Sequence, residues 1–263
     1  MKKQILALSI LLCAGTVSAC SLKEVNGTND VATQSVKPTG NVITENRKIS
    51  DFSKIYAATS IQVEYVPSDG APRAEVTVDE AYKDFLKTEV KGNELKIYFK
   101  TDKKNRSTNN IMGKASVKVY GPLATSYDAS TSASITILKD IETSGELKLE
   151  ASTSGSVIFK GSILAGSLSV EGSTSGSIHA NNVKVLDDAD FDLSTSASCK
   201  FYSISAKEID VDASTSGSLF ISSGSTKKID VDASTGANIN LRSVSCTNIH
   251  VEKNTGASVS TSR

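Results

Sequence analysis

Tryptophan is absent from the 263 residues, all aromatics together make up 5%, and there are only four prolines and four cysteines. Without Trp, any stacking on sugar rings falls to the few Tyr and Phe. Twenty-nine basic side chains balance 29 acidic ones. A net charge of zero gives no basic field for nucleic acid and no acidic field for a basic partner, so nucleic acid is not an expected partner. Beyond the first twenty residues no apolar run is long enough for a transmembrane helix. What is abundant is serine, at 41 residues, mostly in short Ser/Thr/Gly clusters spaced along the second half. Regular clustering of this kind marks a repeat protein rather than a linker.

The amino terminus carries an address. Met1, Lys2 and Lys3 precede an apolar stretch from Ile5 to Val17, which is too short to span a bilayer comfortably and reads as a signal peptide over residues 1–19. It ends in Val17-Ser18-Ala19-Cys20, which resembles the bacterial lipobox. Cys20 is therefore the expected lipidation site, and the N-terminal lipid would make the membrane a partner. Ser21 is not the Asp associated with inner-membrane retention, so the expected place is the cell envelope, at the outer membrane. Residues 20–41 lack an apolar period and carry Gly, Pro, Asn and Thr, the composition of a flexible tether.

From 42 to 127 the chain reads as a β-rich N-terminal part. Runs such as Ile61-Gln62-Val63-Glu64-Tyr65 and Ser116-Val117-Lys118-Val119-Tyr120 alternate with period two and are rich in β-branched and aromatic residues. One short helix is expected over Asp79–Lys87, where Asp79 can cap and Tyr82, Phe85 and Leu86 share a face. A polar loop follows at Thr101–Lys114.

Residues 128–263 repeat. An acid precedes each Ser/Thr cluster at Asp128, Glu150, Glu171, Asp192, Asp212, Asp232 and Glu252, at steps of 22, 21, 21, 20, 20 and 20 residues. That spread fits one solenoid coil per repeat. Seven residues after the acids stands an apolar column of Ile135, Val157, Ile178, Cys199, Leu219, Ile239 and Val259, and Leu149, Val170, Phe191, Val211, Val231 and Val251 form another just before them. A third apolar pair, such as Val183/Val185, lies midway between clusters. The expected fold is all-β: a right-handed parallel β-helix with three short strands per coil. Within it, Thr131, Thr153, Thr174, Thr195, Thr215, Thr235 and Thr255 are expected to point inward and bond through their hydroxyls from coil to coil.

Cys20, the segment Arg47-Lys48-Ile49-Ser50-Asp51-Phe52-Ser53-Lys54-Ile55, the step Tyr120-Gly121-Pro122-Leu123 and the serine-rich coils together resemble the head-GIN-domain family of auto-transporter adhesins, common as lipoproteins in Bacteroidota. The resemblance covers about Val42 to Ser260. It implies a β-helical fold and an envelope address, and it supplies no catalytic residues.

The acids and histidines offer three constellations that could carry chemistry. Asp190, Asp192, Asp210, Asp212, Asp230 and Asp232, flanked by Asp187 and Asp188, should share one exposed patch. They are weak Ca²⁺ candidates, because flat strands seldom wrap a cation without loop carbonyls and the Gly-Gly-x-Gly-x-Asp pattern is missing; solvation with nearby Lys207, Lys227 and Lys228 is the expected compensation. Asp187 and Asp188 lack the accompanying segments of pectin-cleaving enzymes. His179 and His250 fall in different coils and are expected at the surface. Cys199 and Cys246 are expected reduced and buried.

The function expected is that of a non-enzymatic envelope lipoprotein presenting a β-helical surface for adhesion or scaffolding, with no cofactor. The alternative is a protein that binds or cleaves glycans with the acidic face Asp190 to Asp232. Partners expected besides the membrane are a surface glycan or protein. A monomer is expected, with Lys253, in a column otherwise filled by Ala, Gly or Leu, discouraging strand addition.

Overall fold

A computed structural model of the protein describes residues 36–100 and 115–262. The signal peptide, Cys20, most of the tether and the polar loop at 101–114 lie outside the described residues.

The described chain is a parallel β-solenoid. Each predicted inward column is a physical ladder: Ile135, Val157, Ile178, Cys199, Leu219, Ile239 and Val259 stand opposite one another in successive parallel pairings. Leu149, Val170, Phe191, Val211, Val231 and Val251 form the second. The third side stacks Ile163, Val183, Ile204, Gly224 and Val244. Alternation places these apolar side chains inside, and most are at or near full burial. Three strands per coil hold at the start, as in Ser126–Ala129, Ser134–Ile137 and Ile141–Glu142. Toward the carboxyl end, sides merge into longer strands, such as Gly224–Ala233 and Val244–Lys253.

A spine of rings runs through the first coils. Phe52, Tyr65, Tyr127 and Phe159 follow at centroid distances of 6.2, 5.8 and 5.4 Å, and Phe191 meets Phe201 edge-on at 5.3 Å. The phenols inside are satisfied: Tyr65 donates to the Pro122 carbonyl and accepts from the Ala124 N–H, and Tyr127 donates to the Ala124 carbonyl at 2.7 Å.

The corners differ from the expectation of an inward Thr hydroxyl ladder. Each Thr of the Ser-Thr clusters is exposed and left-handed, with φ between 45° and 50° from Thr131 to Thr255, and the residue after it is left-handed too. Period-two alternation stops where the chain turns, so the Thr points outward. What crosses from coil to coil is main chain: the amides of Ser132, Ser154, Ser175, Ser196 and Ser216 donate to the Thr carbonyl of the next coil at 2.9–3.0 Å. These bonds offset a left-handed cost of about 1–2 kcal/mol per residue. Gly155 shows why some clusters need Gly: a Cβ there would lie 2.0 Å from the Ala129 carbonyl oxygen.

Stacking extends upstream of Asp128. Lys54–Ala57 and Gln62–Pro67 flank a left-handed Thr59-Ser60 corner and pair in parallel with Ser126–Ala129 and Ser134–Ile137. Glu94–Phe99 and Ser116–Gly121 still stack on this coil in parallel; the pairing changes beyond them, where Arg73–Asp79 runs antiparallel to Ser116–Gly121 and Val42–Lys48 antiparallel to Arg73–Asp79. Such a cap blunts an otherwise open sheet end. The helix expected over Asp79–Lys87 is reduced to a single 3₁₀ turn, Glu80–Tyr82. Asp79 does cap it, but Leu86–Lys91 pairs antiparallel with Glu94–Phe99 about the left-handed Gly92, and that pairing takes the residues a longer helix would need.

The end of the expected tether is docked. The Asp79 carboxylate accepts from the Thr39 amide and hydroxyl, the Gly40 amide and the Ala81 amide, while the Tyr82 hydroxyl donates to the Val36 carbonyl. Val36 packs against the core.

Candidate functional site

The side of the solenoid that precedes the Ser/Thr corners carries two outward rows. In one, Asp128, Glu150, Glu171, Asp192, Asp212, Asp232 and Glu252 stand in register, one per coil. In the other, Asp190, Asp210, Asp230 and His250 are neighbours. All six predicted aspartates therefore share one face, at coil spacings of about 4.8 Å. The row is longer than those six. Its extension through Asp128, Glu150 and Glu171 was readable from the acid that begins every repeat.

Like charges at this spacing resist ionisation. Burial first, then the carboxylates of Glu150 and Glu94, push Asp128 up to about 6. Burial and Glu208 push Asp210 to about 6 against the pull of Lys228. Asp190, Asp192 and Asp212 are raised as well, by burial first and by neighbouring acids second. Cations answer at particular points. Lys148 bridges Glu150 at 2.6 Å and Glu171 at 2.8 Å, and these two bonds hold its own ammonium well above the usual range. Lys228 pairs with Glu208 and reaches Asp230 at 3.5 Å. Lys207 is bound to Asp187 at 2.5 Å, at the rim.

Between the acid row and the first serine of each corner run two shallow depressions. One of about 310 Å³ is lined by Asp128, Glu150, Glu171 and Asp192 with Ser152, Ser173 and Ser194. A second, of about 360 Å³, continues past Asp212, Asp232 and Glu252. Among the described residues, no group of three or more His, Cys, Asp or Glu is arranged to hold a metal ion. The outward residues of Asp188–Leu193, Glu208–Ala213 and 228–233 include no aromatic ring; Tyr56 stands further along the same face, in register with Asp128.

The remaining candidates are scattered. His179 is exposed on another side, and His250 lies 3.4 Å from Glu252. Among the described residues Cys199 and Cys246 are free thiols. Cys199 is buried as expected, and burial pushes its thiol up to about 12. Cys246 departs from expectation: it is half-buried beside an edge and donates to the Asn248 carbonyl at 3.1 Å.

A family model described as "Putative auto-transporter adhesin, head GIN domain" matches residues 51–183 and 173–262. The chain belongs to the head-GIN-domain family. Its solenoid is similar to solved structures of the same build. A "putative adhesin" from Parabacteroides distasonis ATCC 8503 is 21% identical with a TM-score of 0.64, covering 85% of this chain and 98% of its own. A "putative lipid binding protein" from the same organism is 24% identical with a TM-score of 0.61, covering 86% and 97%. A further "putative adhesin", from Parabacteroides merdae ATCC 43184, is 17% identical with a TM-score of 0.56, covering 85% and 97%. At these identities the likeness shows the fold. No curated protein matches the chain.

Proposed function

We propose that this head-GIN-domain protein is a non-enzymatic adhesion or scaffolding lipoprotein of the cell envelope, acylated at Cys20 and held at the outer membrane. The observation that carries the reading is the family match over 51–262 on a body whose outward residues form rows along a rigid ladder. Rows at fixed spacing suit contact with an extended or repeating partner better than chemistry on one small substrate, which needs converging groups.

The test combines address and adhesion. Cys20→Ala should release the protein from the membrane fraction and abolish adhesion of expressing cells to a glycan- or protein-coated surface. Adhesion unchanged in a strain lacking the protein would remove the adhesion reading, and full membrane retention of the Cys20→Ala protein would remove the anchor.

A further inference from the structure

The side of the solenoid that follows the corners carries the opposite chemistry. Pairing of Val157–Ile158 with Ile178–His179, of His179 with Lys200, of Lys200 with Phe220 and of Phe220 with Asn240 makes one outward column: Ile158, His179, Lys200, Phe220, Asn240. Two residues further on, the same registers align Lys160, Asn181, Tyr202, Ser222 and Arg242; the Asn181 amide donates to the Lys160 carbonyl at 3.2 Å, and the Ser222 amide donates to the Phe201 carbonyl at 3.0 Å. None of these ten residues is acidic; the first column continues through Thr136 to Glu64 at the amino-terminal end, where Lys118 stands 3.7 Å from the carboxylate.

Tyr202 is 65% exposed and Phe220 41%. Sequence phase made both readable as outward, because Cys199 and Phe201 are inward and Lys200 and Tyr202 must then face out. Lys200 extends over the Phe220 ring with its ammonium 5.7 Å from the centroid. Burial, then repulsion from Lys200 and Lys160, draws His179 below its ordinary value, so the three bases share one local field. The permanent cations Lys160, Lys200 and Arg242 recur on every second coil, about 10 Å apart. Ile158 lies beside Lys160 and Tyr202 beside Lys200 on the same coils, and Phe220 lies on the coil between Lys200 and Arg242, so flat or apolar platforms alternate with the cations rather than gathering at one centre.

We propose that this side binds an anionic polysaccharide, a chain of uronic-acid type lying along the solenoid axis. Carboxylates of the polymer pair with Lys160, Lys200 and Arg242, and the apolar faces of its rings stack on Tyr202 and Phe220. Asn181, Ser222 and Asn240 supply hydrogen bonds to hydroxyls. The chemistry discriminates among anionic partners. Three permanent cations fall short of the four to eight that mark a polybasic lipid-binding cluster, and separate platforms do not offer the contiguous apolar centre of a protein interface. The acidic rows, on a different side, are unsuited to such a polymer.

This proposal rests on the adhesion reading by naming the ligand class of the same body. The experiment measures binding of the full chain in mild detergent to immobilised polygalacturonate, with dextran of matched length as the neutral control. Binding to polygalacturonate but not to dextran is expected. Lys200→Gln with Arg242→Gln should weaken it at least tenfold, and Tyr202→Ala at least threefold with all cations retained. Asp210→Asn, on the other side, should leave it unchanged, and unaltered circular dichroism will show that each variant is folded. Any of the following overturns the proposal: no polygalacturonate binding, equal binding by all variants, or stronger binding to phosphatidylglycerol vesicles, to single-stranded oligonucleotide, or to a second copy of the chain as read by light scattering. If expressing cells still adhere while the purified chain ignores polygalacturonate, only this proposal fails. If adhesion is also absent, the adhesion reading fails with it.

Discussion

At the scale of single residues, the acid row makes stability depend on pH with a definite sign. Asp128 and Asp210, raised to about 6, bind protons in the folded state before the unfolded chain does. Between about pH 4 and 6 the folded state holds the extra protons, so stability falls as pH rises through that window and is flat above it. Asp79 has the opposite sign. Burial opposes its charge, but hydrogen bonds from Ala81, Thr39 and Gly40 prevail and lower it, and its contribution is lost only as pH falls below the ordinary Asp range. Melting temperature should therefore rise on going from pH 7.5 to 5 and drop again below pH 4. Asp210→Asn should raise it by a few degrees at pH 7.5 and flatten the rise; a melting curve that falls steadily from pH 7.5 to 5 contradicts this account.

The corners yield a second residue-scale prediction. Gly155→Ala drives a methyl into the Ala129 carbonyl and should cost several kcal/mol or prevent folding. Gly236→Ser should cost about 1 kcal/mol or less, although Gly236 is left-handed at φ 76°, since Ser216 takes that conformation at the same corner one coil earlier and the nearest atom to a new Cβ is 3.6 Å away. Urea denaturation of the two variants reads the difference. Cys199→Val should be near neutral in the same assay, because its column is otherwise Ile, Val or Leu.

At the scale of elements, what could be read in advance follows from what is periodic. Val157, Ile178 and Leu219 recur with constant phase, so their column was visible and its register correct. The acid row was visible for the same reason. Thr131 and its equivalents were misplaced because alternation says nothing about residues in a left-handed pair. The coil around Thr59-Ser60 is not legible in the sequence, because one copy without its acid and serine flanks carries no repeat signal. Leu86 shows the third kind of failure: helical spacing over nine residues yields to a hairpin that only the partner strand Glu94–Phe99 reveals. Since Asp192 pairs with Asp212 and Leu193 with Ala213, deleting residues 192–211 removes one whole coil and rejoins matched columns. That deletion should fold, cooperatively and with the same strand content per residue, whereas deleting 192–210 reverses every face downstream and should not. Far-ultraviolet circular dichroism and thermal melts distinguish them.

At the scale of the whole molecule, a net charge of zero conceals segregation: one side carries the acid row and another carries Lys160, Lys200 and Arg242. Composition averages over sides and cannot report this. Lys253 belongs to this scale too. It is exposed, in register with Ala233, on a strand paired through only one edge among the described residues. Lys253→Ala should increase concentration-dependent association without greatly changing monomer stability, as light scattering over a wide concentration range will show.

The corners also bear on how this protein can diverge. Their coil-to-coil bonds use amides and carbonyls, which every residue but proline supplies in full, and the inward columns ask only for apolar bulk. Outward side chains between the corners are thus largely free of duties to the fold. Structures of the same build at 17–24% identity fit that economy. A lineage can rewrite an entire side, exchanging Tyr202 or Arg242 for another chemistry, while the scaffold beneath keeps its shape. Selection on what the rows contact then acts nearly independently of selection for stability.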